Sequence, residues 1–328
     1  MKHGFQDKTV RRVLRKKISA WLESLPEEMR QSMKDQVICT GGAPASMLLG
    51  EDVNDFDLYF KNRWAVSDIA THYVERFLKF QPDCKIRPSV QVTDEPNRVR
   101  IHIQSAGVAG EGGDKTYEYF EATPDERAAN DFLDKMEVDP SERDIRESID
   151  AIEVDPTKTN DKKPKDKEPF RPRFLSENAI SLSDDIQIII RFFGSVEEIH
   201  QNYDFAHCKC AYDYANDSLS TPPSALLSLM SRTLYYTGSL YPLCSMFRMR
   251  KFIDRGWHIS AGEILKMGFQ LSELDLRDVM VLRDQLIGVD MAYFAELLDI
   301  IDNEKAGQEG KPIDASYIGQ LVDRVFNS

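Results

Sequence analysis

Residues 37–60, VICTGGAPASMLLGEDVNDFDLYF, constrain the fold of this chain more than any other segment. The apolar run at 37–39 is typical of a buried strand, and it leads directly into Gly41 and Gly42. Residues 43–49 then have the character of a short helix, which Gly50 ends. Glycines between a strand and a helix allow backbone amides to approach a phosphate with no side chain in the way. We therefore expect an anion site at this turn.

Two aspartates follow in a second strand, which the alternation at 54–60 predicts. Asp55 comes 13 residues after Gly42, and Asp57 follows after one apolar residue. Because strand side chains alternate, we expect both carboxylates on one face and Phe56 on the other. Two adjacent carboxylates repel each other unless a cation lies between them, and Mg²⁺ prefers oxygen ligands and bridges to substrate phosphates. The pair therefore predicts a Mg²⁺ (or Mn²⁺) site.

A third carboxylate is expected on a neighbouring strand, because in-line phosphoryl chemistry with two metal ions generally uses three acids. Asp204 in NYDFAHCKCAYD is the preferred candidate, since it begins an apolar run after a predicted short helix. Asp213, at the far end of the same run, competes with it. The residues alone leave a turn role for Asp204 open.

The order of apolar strand, two glycines, short helix and Asp-apolar-Asp resembles the DNA polymerase beta superfamily of nucleotidyltransferases. Within it, TGGAPASMLLGEDVNDFDLYF is most like the variant found in bacterial CCA-adding tRNA nucleotidyltransferases and poly(A) polymerases. The later block QIIIRFFGSVEEIHQNYDFAHCKCAYD resembles uncharacterised, often phage-encoded, nucleotidyltransferase-like proteins. The resemblance covers residues 37–60 and 179–214.

The resemblance implies a role for six residues. Contact with a nucleoside triphosphate is implied at Gly41 and Gly42, with Ser46 nearby, and metal binding and catalysis are implied at Asp55, Asp57 and Asp204. Arg191 is a further candidate for the triphosphate, although an ordinary salt bridge explains it equally well. The sequence departs from the CCA-adding pattern, which has an Arg-Asp pair shortly after the second glycine where this chain reads Ala-Pro-Ala-Ser. This departure argues against repair of tRNA ends.

The predicted fold class is α+β: a polymerase beta-like mixed sheet with flanking helices, plus an all-helical C-terminal domain. The predicted domains are a basic helical segment at 1–36, a nucleotidyltransferase domain at 37–215 with an acidic insertion at about 106–172, and a helical domain at 216–328. The predicted helices are 7–25, 27–34, 43–49, 67–80, 125–136, 196–202, 225–234, 243–253, 261–267, 291–301 and 315–325. The predicted strands are 37–39, 54–60, 86–92, 99–105, 117–121, 179–182, 186–193 and 203–212.

Charge and cysteine content limit the class of protein. The net charge of −13 comes largely from residues 111–169, where 19 acidic and 10 basic side chains give 19 − 10 = 9 excess negative charges. The first twenty residues are basic instead, which fits either a nucleic-acid contact or a solvated helix face. Five cysteines and the lack of a long apolar run predict reduced thiols and a cytoplasmic protein that does not contact a membrane. Cys208 and Cys210 with His200 and His207 would be candidate zinc ligands, but alternation in the predicted strand separates both cysteines from His207, which argues against zinc.

The expected activity is a metal-dependent nucleotidyltransferase that moves a nucleoside monophosphate from a triphosphate such as ATP to a hydroxyl and releases pyrophosphate. The acceptor stays open between an RNA 3′ end, a protein side chain and a small molecule, and so does a toxin role. The alternative is an inactive member of the same fold, for example a nucleotide-binding, structural or regulatory phage component. For a phage-encoded protein the expected location is the host cytoplasm.

Overall fold

The computed structural model describes residues 4–80, 87–92, 99–104, 169–175 and 179–276, with positions 278, 281, 282 and 285 beyond them. Several predicted features lie outside the described residues: the strand at 117–121, the helices at 125–136, 291–301 and 315–325, and nearly all of the acidic insertion. Within the described residues, no helix is both long and apolar enough to cross a bilayer.

Eight described helices and eleven strands form the fold. The helices are α1 Asp7–Glu23, α2 Glu27–Met33, α3 Gly42–Leu49, α4 Arg63–Phe80, α5 Val196–His200, α6 Pro223–Ser231, α7 Pro242–Asp254 and α8 Ala261–Ser272. The strands are β1 Val37–Thr40, β2 Phe56–Phe60, β3 Arg87–Val92, β4 Val99–Gln104, β5 Pro172–Leu175, β6 Ala179–Leu182, β7 Ile186–Phe193, β8 Ala211–Asp213, β9 Ser218–Ser220, β10 Thr233–Leu234 and β11 His258–Ile259.

Seven of these strands form one mixed sheet in the order β5-β6-β7-β2-β1-β8-β9. Its described strand pairs are antiparallel except β2 and β7, which run parallel. A parallel pair needs a long crossover connection, which residues 61–185 provide. The expectation of a mixed sheet with flanking helices is thus confirmed.

The main core forms between one face of this sheet and α1 and α4. Six residues of α1 are buried together with β-strand residues in one cluster: Val10, Val13, Leu14, Ile18, Trp21 and Leu22. Trp21 is fully buried, its Nε1 donates to the Tyr73 hydroxyl of α4 at 2.8 Å, and its ring lies 6.2 Å from that of Phe60 in β2. Trp21 thus links α1 to both α4 and β2.

The chain divides into two compact units, and the seven-stranded sheet belongs to the first. The first unit takes in the described residues within 1–106, 120–201 and 208–229, and the second takes in those within 202–207 and 230–328. In the second unit, β10 and β11 pair in parallel, and Phe205 forms an isolated bridge with Tyr236. The predicted domain boundaries at 36/37 and 215/216 stay predictions.

Two secondary-structure predictions are wrong. The predicted strand at 203–212 is instead the isolated bridge at Phe205, a 3₁₀ turn at Ala206–Cys208 and a strand that begins only at Ala211. The turn is buried by packing on aromatic rings rather than by strand pairing. The centroid of the His207 ring lies 4.5 Å from that of Phe252 and 4.3 Å from that of Trp257. The predicted C-terminal domain is not all-helical either, since β10 and β11 form a small sheet within it.

Candidate functional site

The turn after β1 has the geometry that the glycines predict. All four residues of β1 are buried, and Gly41 follows with a φ of 99°, in the left-handed region that favours glycine. The Gly41 N–H donates to the Cys208 carbonyl at 3.2 Å. Gly42 begins α3, is exposed, and has open space where a Cβ would stand, with no atom within 4 Å. We call Gly41 and Gly42 the glycine turn; its second residue faces room for a ligand.

Sheet register places Asp55 and Asp57 beside this turn. β1 and β2 are antiparallel, with Val37 opposite Phe60 and Cys39 opposite Leu58. The end of β1, where the glycine turn follows, therefore lies beside the start of β2. Asp57 is the second residue of β2, and Asp55 directly precedes the strand.

The two aspartates, which we call the Asp pair, interact electrostatically. Asp55 is exposed and Asp57 is half-buried. Burial, with the negative charge of Asp55 adding to it, raises the pKa of Asp57 to about 8. An oxygen-preferring divalent cation would relieve this repulsion, so the donor chemistry of the Asp pair fits Mg²⁺ or Mn²⁺.

The neighbour of the Asp pair on the next strand is an amide. β2 and β7 are in parallel register with Asp57 opposite Gln187, and the Gln187 Nε2 donates a long hydrogen bond of 3.4 Å to the Ser181 Oγ of β6. A carboxylate at this position would have extended the Asp pair across the sheet. Sequence reasoning gave Gln187 no role, because the pairing of β2 with β7 joins residues 130 positions apart.

Thr40, directly before the glycine turn, is held by a buried hydrogen-bond relay. Its side chain is fully buried, and its Oγ1 donates to the Cys210 carbonyl at 2.8 Å. The His200 Nε2, from the last residue of α5, lies 2.7 Å from the same Oγ1. Burial, with the charge of Lys209 adding to it, lowers the pKa of His200 to about 4, so its ring is neutral at pH 7. Sequence reasoning considered His200 only as a zinc ligand and missed Thr40.

The other predicted nucleotide contacts lie on the same unit. Ser46 is half-buried and stands one helical turn after Gly42 on α3, and its carbonyl accepts from the Glu51 N–H at 2.8 Å. Arg191 lies near the end of β7, is 6% exposed, and holds its guanidinium 5.1 Å from the centroid of the Phe192 ring. Their roles in nucleotide binding stay predictions.

Asp204, the predicted third carboxylate, belongs to the second unit. It is 4% exposed, and its Oδ2 lies 2.5 Å from the Arg248 Nη1 of α7. Its backbone carbonyl accepts from the Thr237 N–H at 2.8 Å. A metal ion at Asp204 would therefore have to compete with Arg248, and the predicted metal role stays a prediction.

Asp213, the competitor of Asp204, has a partner of its own. In the register of β1 and β8, Thr40 at the glycine-turn end of β1 lies opposite Ala211, and Asp213 lies opposite Ile38. Asp213 is therefore two positions along the strand from the glycine-turn end. Lys61 donates to both Asp213 carboxylate oxygens at 2.8 and 3.0 Å. Over the described ranges as a whole, no group of three or more His, Cys, Asp or Glu side chains is arranged to hold a metal ion.

Comparison with known proteins gives a matching family, a curated relative and a solved structure. The family described as "Gabija anti-defense 2 family protein" matches residues 12–232. A curated relative from Bacillus phage SPbetaL7, named "Gabija anti-defense 2", is 25% identical over 103 residues, which is 31% of this chain and 26% of the relative. The match thus spans about a quarter of that relative's length. A solved structure titled "Structure of tRNA-processing enzyme with CTP" covers 88% of this chain and 59% of its own at 11% identity, with a TM-score of 0.37 that is too low to support an argument.

Proposed function

The chain belongs to the Gabija anti-defense 2 family, and from that premise we propose that it is a metal-dependent nucleotidyltransferase that counters a host defence during phage infection. The proposed nucleotidyl transfer rests on the antiparallel register of β1 and β2. This register brings the glycine turn, at the end of β1, beside the Asp pair, at the start of β2. The family name carries the biological part.

In the proposed site, Asp55 and Asp57 hold a Mg²⁺ or Mn²⁺ ion, and the metal role predicted for Asp204 is left to a test of its own. The N–H groups of Gly42 and Ala43, at the start of α3, bind the triphosphate, because amides at a helix N-terminus point out of the helix and carry partial positive charge, whereas the Gly41 N–H is bonded to the Cys208 carbonyl. A divalent ion bound by the Asp pair would offset the negative charge that develops on the transferred phosphoryl group. Ser46 and Arg191 are the proposed further contacts to the nucleotide.

The proposed reaction is an in-line displacement. The oxygen of an acceptor hydroxyl forms a bond to the α-phosphorus of a nucleoside triphosphate, while the bond from that phosphorus to the oxygen bridging to the β-phosphate breaks. Pyrophosphate leaves with the bonding electron pair, and the hydroxyl proton passes to solvent. The acceptor is an RNA 3′ end, a protein side chain or a small molecule in the host cytoplasm.

A second candidate function is nucleotide binding without catalysis, with the chain acting as a regulatory phage component. The ion pair between Asp204 and Arg248 favours it, because a neutralised Asp204 leaves only the Asp pair to bind metal. Both candidate functions use the same nucleotide site. They differ in whether a nucleoside monophosphate is transferred to an acceptor.

Transfer is tested with the purified chain, Mg²⁺ and each of the four nucleoside triphosphates labelled at the α-phosphate. Total RNA, host lysate protein and a small-molecule extract serve as separate acceptors. We expect label in one acceptor with the wild type and none with the double variant Asp55→Asn plus Asp57→Asn. The control Asp35→Asn plus Asp68→Asn changes the charge equally at two exposed positions and should retain transfer. If no acceptor is labelled although the wild type binds a nucleotide, the second candidate replaces the first.

The biological part is tested by phage plating on bacteria that carry the Gabija defence and express this chain. We expect plating to recover with the wild type and with the control, and to stay low with the Asp pair variant. Recovery with the Asp pair variant at equal expression would show that defence is countered without the proposed chemistry.

A further inference from the structure

The segment between β7 and β8 reaches the glycine turn at several points. The Gly194 N–H donates to the Phe60 carbonyl at 3.0 Å, which places the start of α5 at the end of β2. Ser195 and Glu198 then form a capping box, with hydrogen bonds of 2.7 and 3.2 Å that fix the direction of α5. The outcome is that the last residue of α5, His200, reaches Thr40.

The proton arrangement of the relay follows from its partners. A threonine hydroxyl has one proton, and at Thr40 this proton is directed to the Cys210 carbonyl. The His200 Nε2 must therefore carry the ring proton and donate it to Thr40. Two buried groups, the Cys210 carbonyl and the His200 N–H, depend on this one hydroxyl.

The same segment also holds the backbone of the glycine turn. Cys208, two residues before Cys210, accepts the hydrogen bond from the Gly41 N–H. Thr40 and Gly41 are thus fixed at adjacent positions by Cys210 and Cys208, through one side-chain and one backbone hydrogen bond. A turn that has a φ of 99° at Gly41, and that is held at Gly41 and at the preceding Thr40, is pre-organised for binding.

We propose that Thr40 and His200 are positioning residues that hold the glycine turn in the conformation that binds the triphosphate. This inference rests on the proposed function, since it assigns the relay to the same nucleotide site. Neither side chain is proposed to touch the substrate, and both act through the backbone of Gly41.

The test compares two variants that each remove one buried hydroxyl from the first unit. Thr40→Val keeps the shape of the side chain and removes the relay, whereas Tyr73→Phe removes the hydroxyl that accepts from Trp21. Both are expected to lower thermal stability. The dissociation constant of a non-hydrolysable nucleoside triphosphate with Mg²⁺ is measured at 10 °C, where both variants are folded.

We expect Thr40→Val to weaken nucleotide binding about tenfold, the size of one buried hydrogen bond. Tyr73→Phe should bind as the wild type does, and Thr40→Ser, which keeps the hydroxyl, should restore most of the affinity. Two variants of His200 are compared in the same way. His200→Gln retains an N–H donor and should bind the nucleotide more tightly than His200→Leu. Equal affinity of Thr40→Val and the wild type, or equal losses in Thr40→Val and Tyr73→Phe, would overturn the positioning role.

Hydrogen exchange of the Gly41 amide separates this inference from the proposed function. We expect faster exchange in Thr40→Val than in Tyr73→Phe, because only the former loosens the turn. If the wild type binds no nucleotide, the proposed function fails, and the exchange rates still decide whether the relay holds the turn. Equal Gly41 exchange in the two variants would overturn the relay itself.

Discussion

Acidification should destabilise the second unit through His207. Its side chain is 2% exposed, between the rings of Phe252 and Trp257. Burial is the largest effect on its ring and lowers its pKa to about 4, with Asp204 opposing and Arg255 adding to the decrease. An unfolded histidine titrates near 6.5. Between these two values the unfolded state binds the proton and the folded state does not, so stability falls as the pH falls.

The expected loss of stability follows from the difference between the folded and unfolded pKa values of His207. Each pKa unit corresponds to about 1.4 kcal/mol, which gives a loss of about 2 kcal/mol between pH 7.5 and pH 5 and about 3 kcal/mol below pH 4. The assay is the opening free energy of the Ala206 and Thr237 amides by hydrogen exchange, since both bond within the second unit. The ring pKa is read in parallel by NMR titration.

Two variants isolate the contribution of His207. His207→Gln should remove about 2 kcal/mol of the pH dependence between pH 7.5 and pH 5. His258→Gln changes an exposed histidine of the same unit and should leave the pH dependence as in the wild type. A His207 ring that titrates near 6.5, or a His207→Gln protein with the wild-type pH dependence, would show that burial of His207 does not cause the loss of stability.

Three further predictions concern packing and charge. Trp21→Ala should cost about 4 kcal/mol in urea unfolding, because it removes a fully buried ring, and a loss under about 1 kcal/mol would contradict the described core. Gly194→Ala should lower the melting temperature, because at a φ of 131° its Cβ would lie 2.5 Å from the Glu198 Oε2, and an unchanged melting temperature would exclude this backbone. Arg248→Ala should cost about 2 kcal/mol by leaving buried Asp204 unpaired, and adding Asp204→Asn should restore most of it. If Mg²⁺ restores the Arg248→Ala protein but not the double variant, Asp204 is a metal ligand.

The sequence predicts the local parts of the site well because their signals are local. The alternation that buries Leu58 and Phe60 fixes β2, and Gly50, at a φ of 71°, ends α3 where the helix signal stops. The expected strand starts at Asn54, but the structure begins it at Phe56, which leaves Asp55 exposed before the strand. Short-range pattern therefore gives the elements and the Asp pair but not the first residue of every element.

The remaining parts depend on contacts between distant residues. The bond between Thr40 and His200 joins positions 160 apart, and the ion pair of Asp204 with Arg248 joins positions 44 apart. The apolar run around His207 has the composition of a buried strand, yet it is buried by packing on Phe252 rather than by strand pairing. The composition of such a segment indicates that it is buried. Its backbone conformation depends on the residues that pack against it.

The proposed function requires that the Asp pair binds a divalent ion together with a nucleotide held at the glycine turn. Its most direct test is the titration of Mn²⁺ by electron paramagnetic resonance, with and without a non-hydrolysable nucleoside triphosphate, corrected for Mn²⁺ bound to free nucleotide. We expect a protein site for Mn²⁺ that binds more tightly with nucleotide in the wild type and is lost in Asp55→Asn plus Asp57→Asn. Equal Mn²⁺ binding by the wild type and this double variant would contradict it.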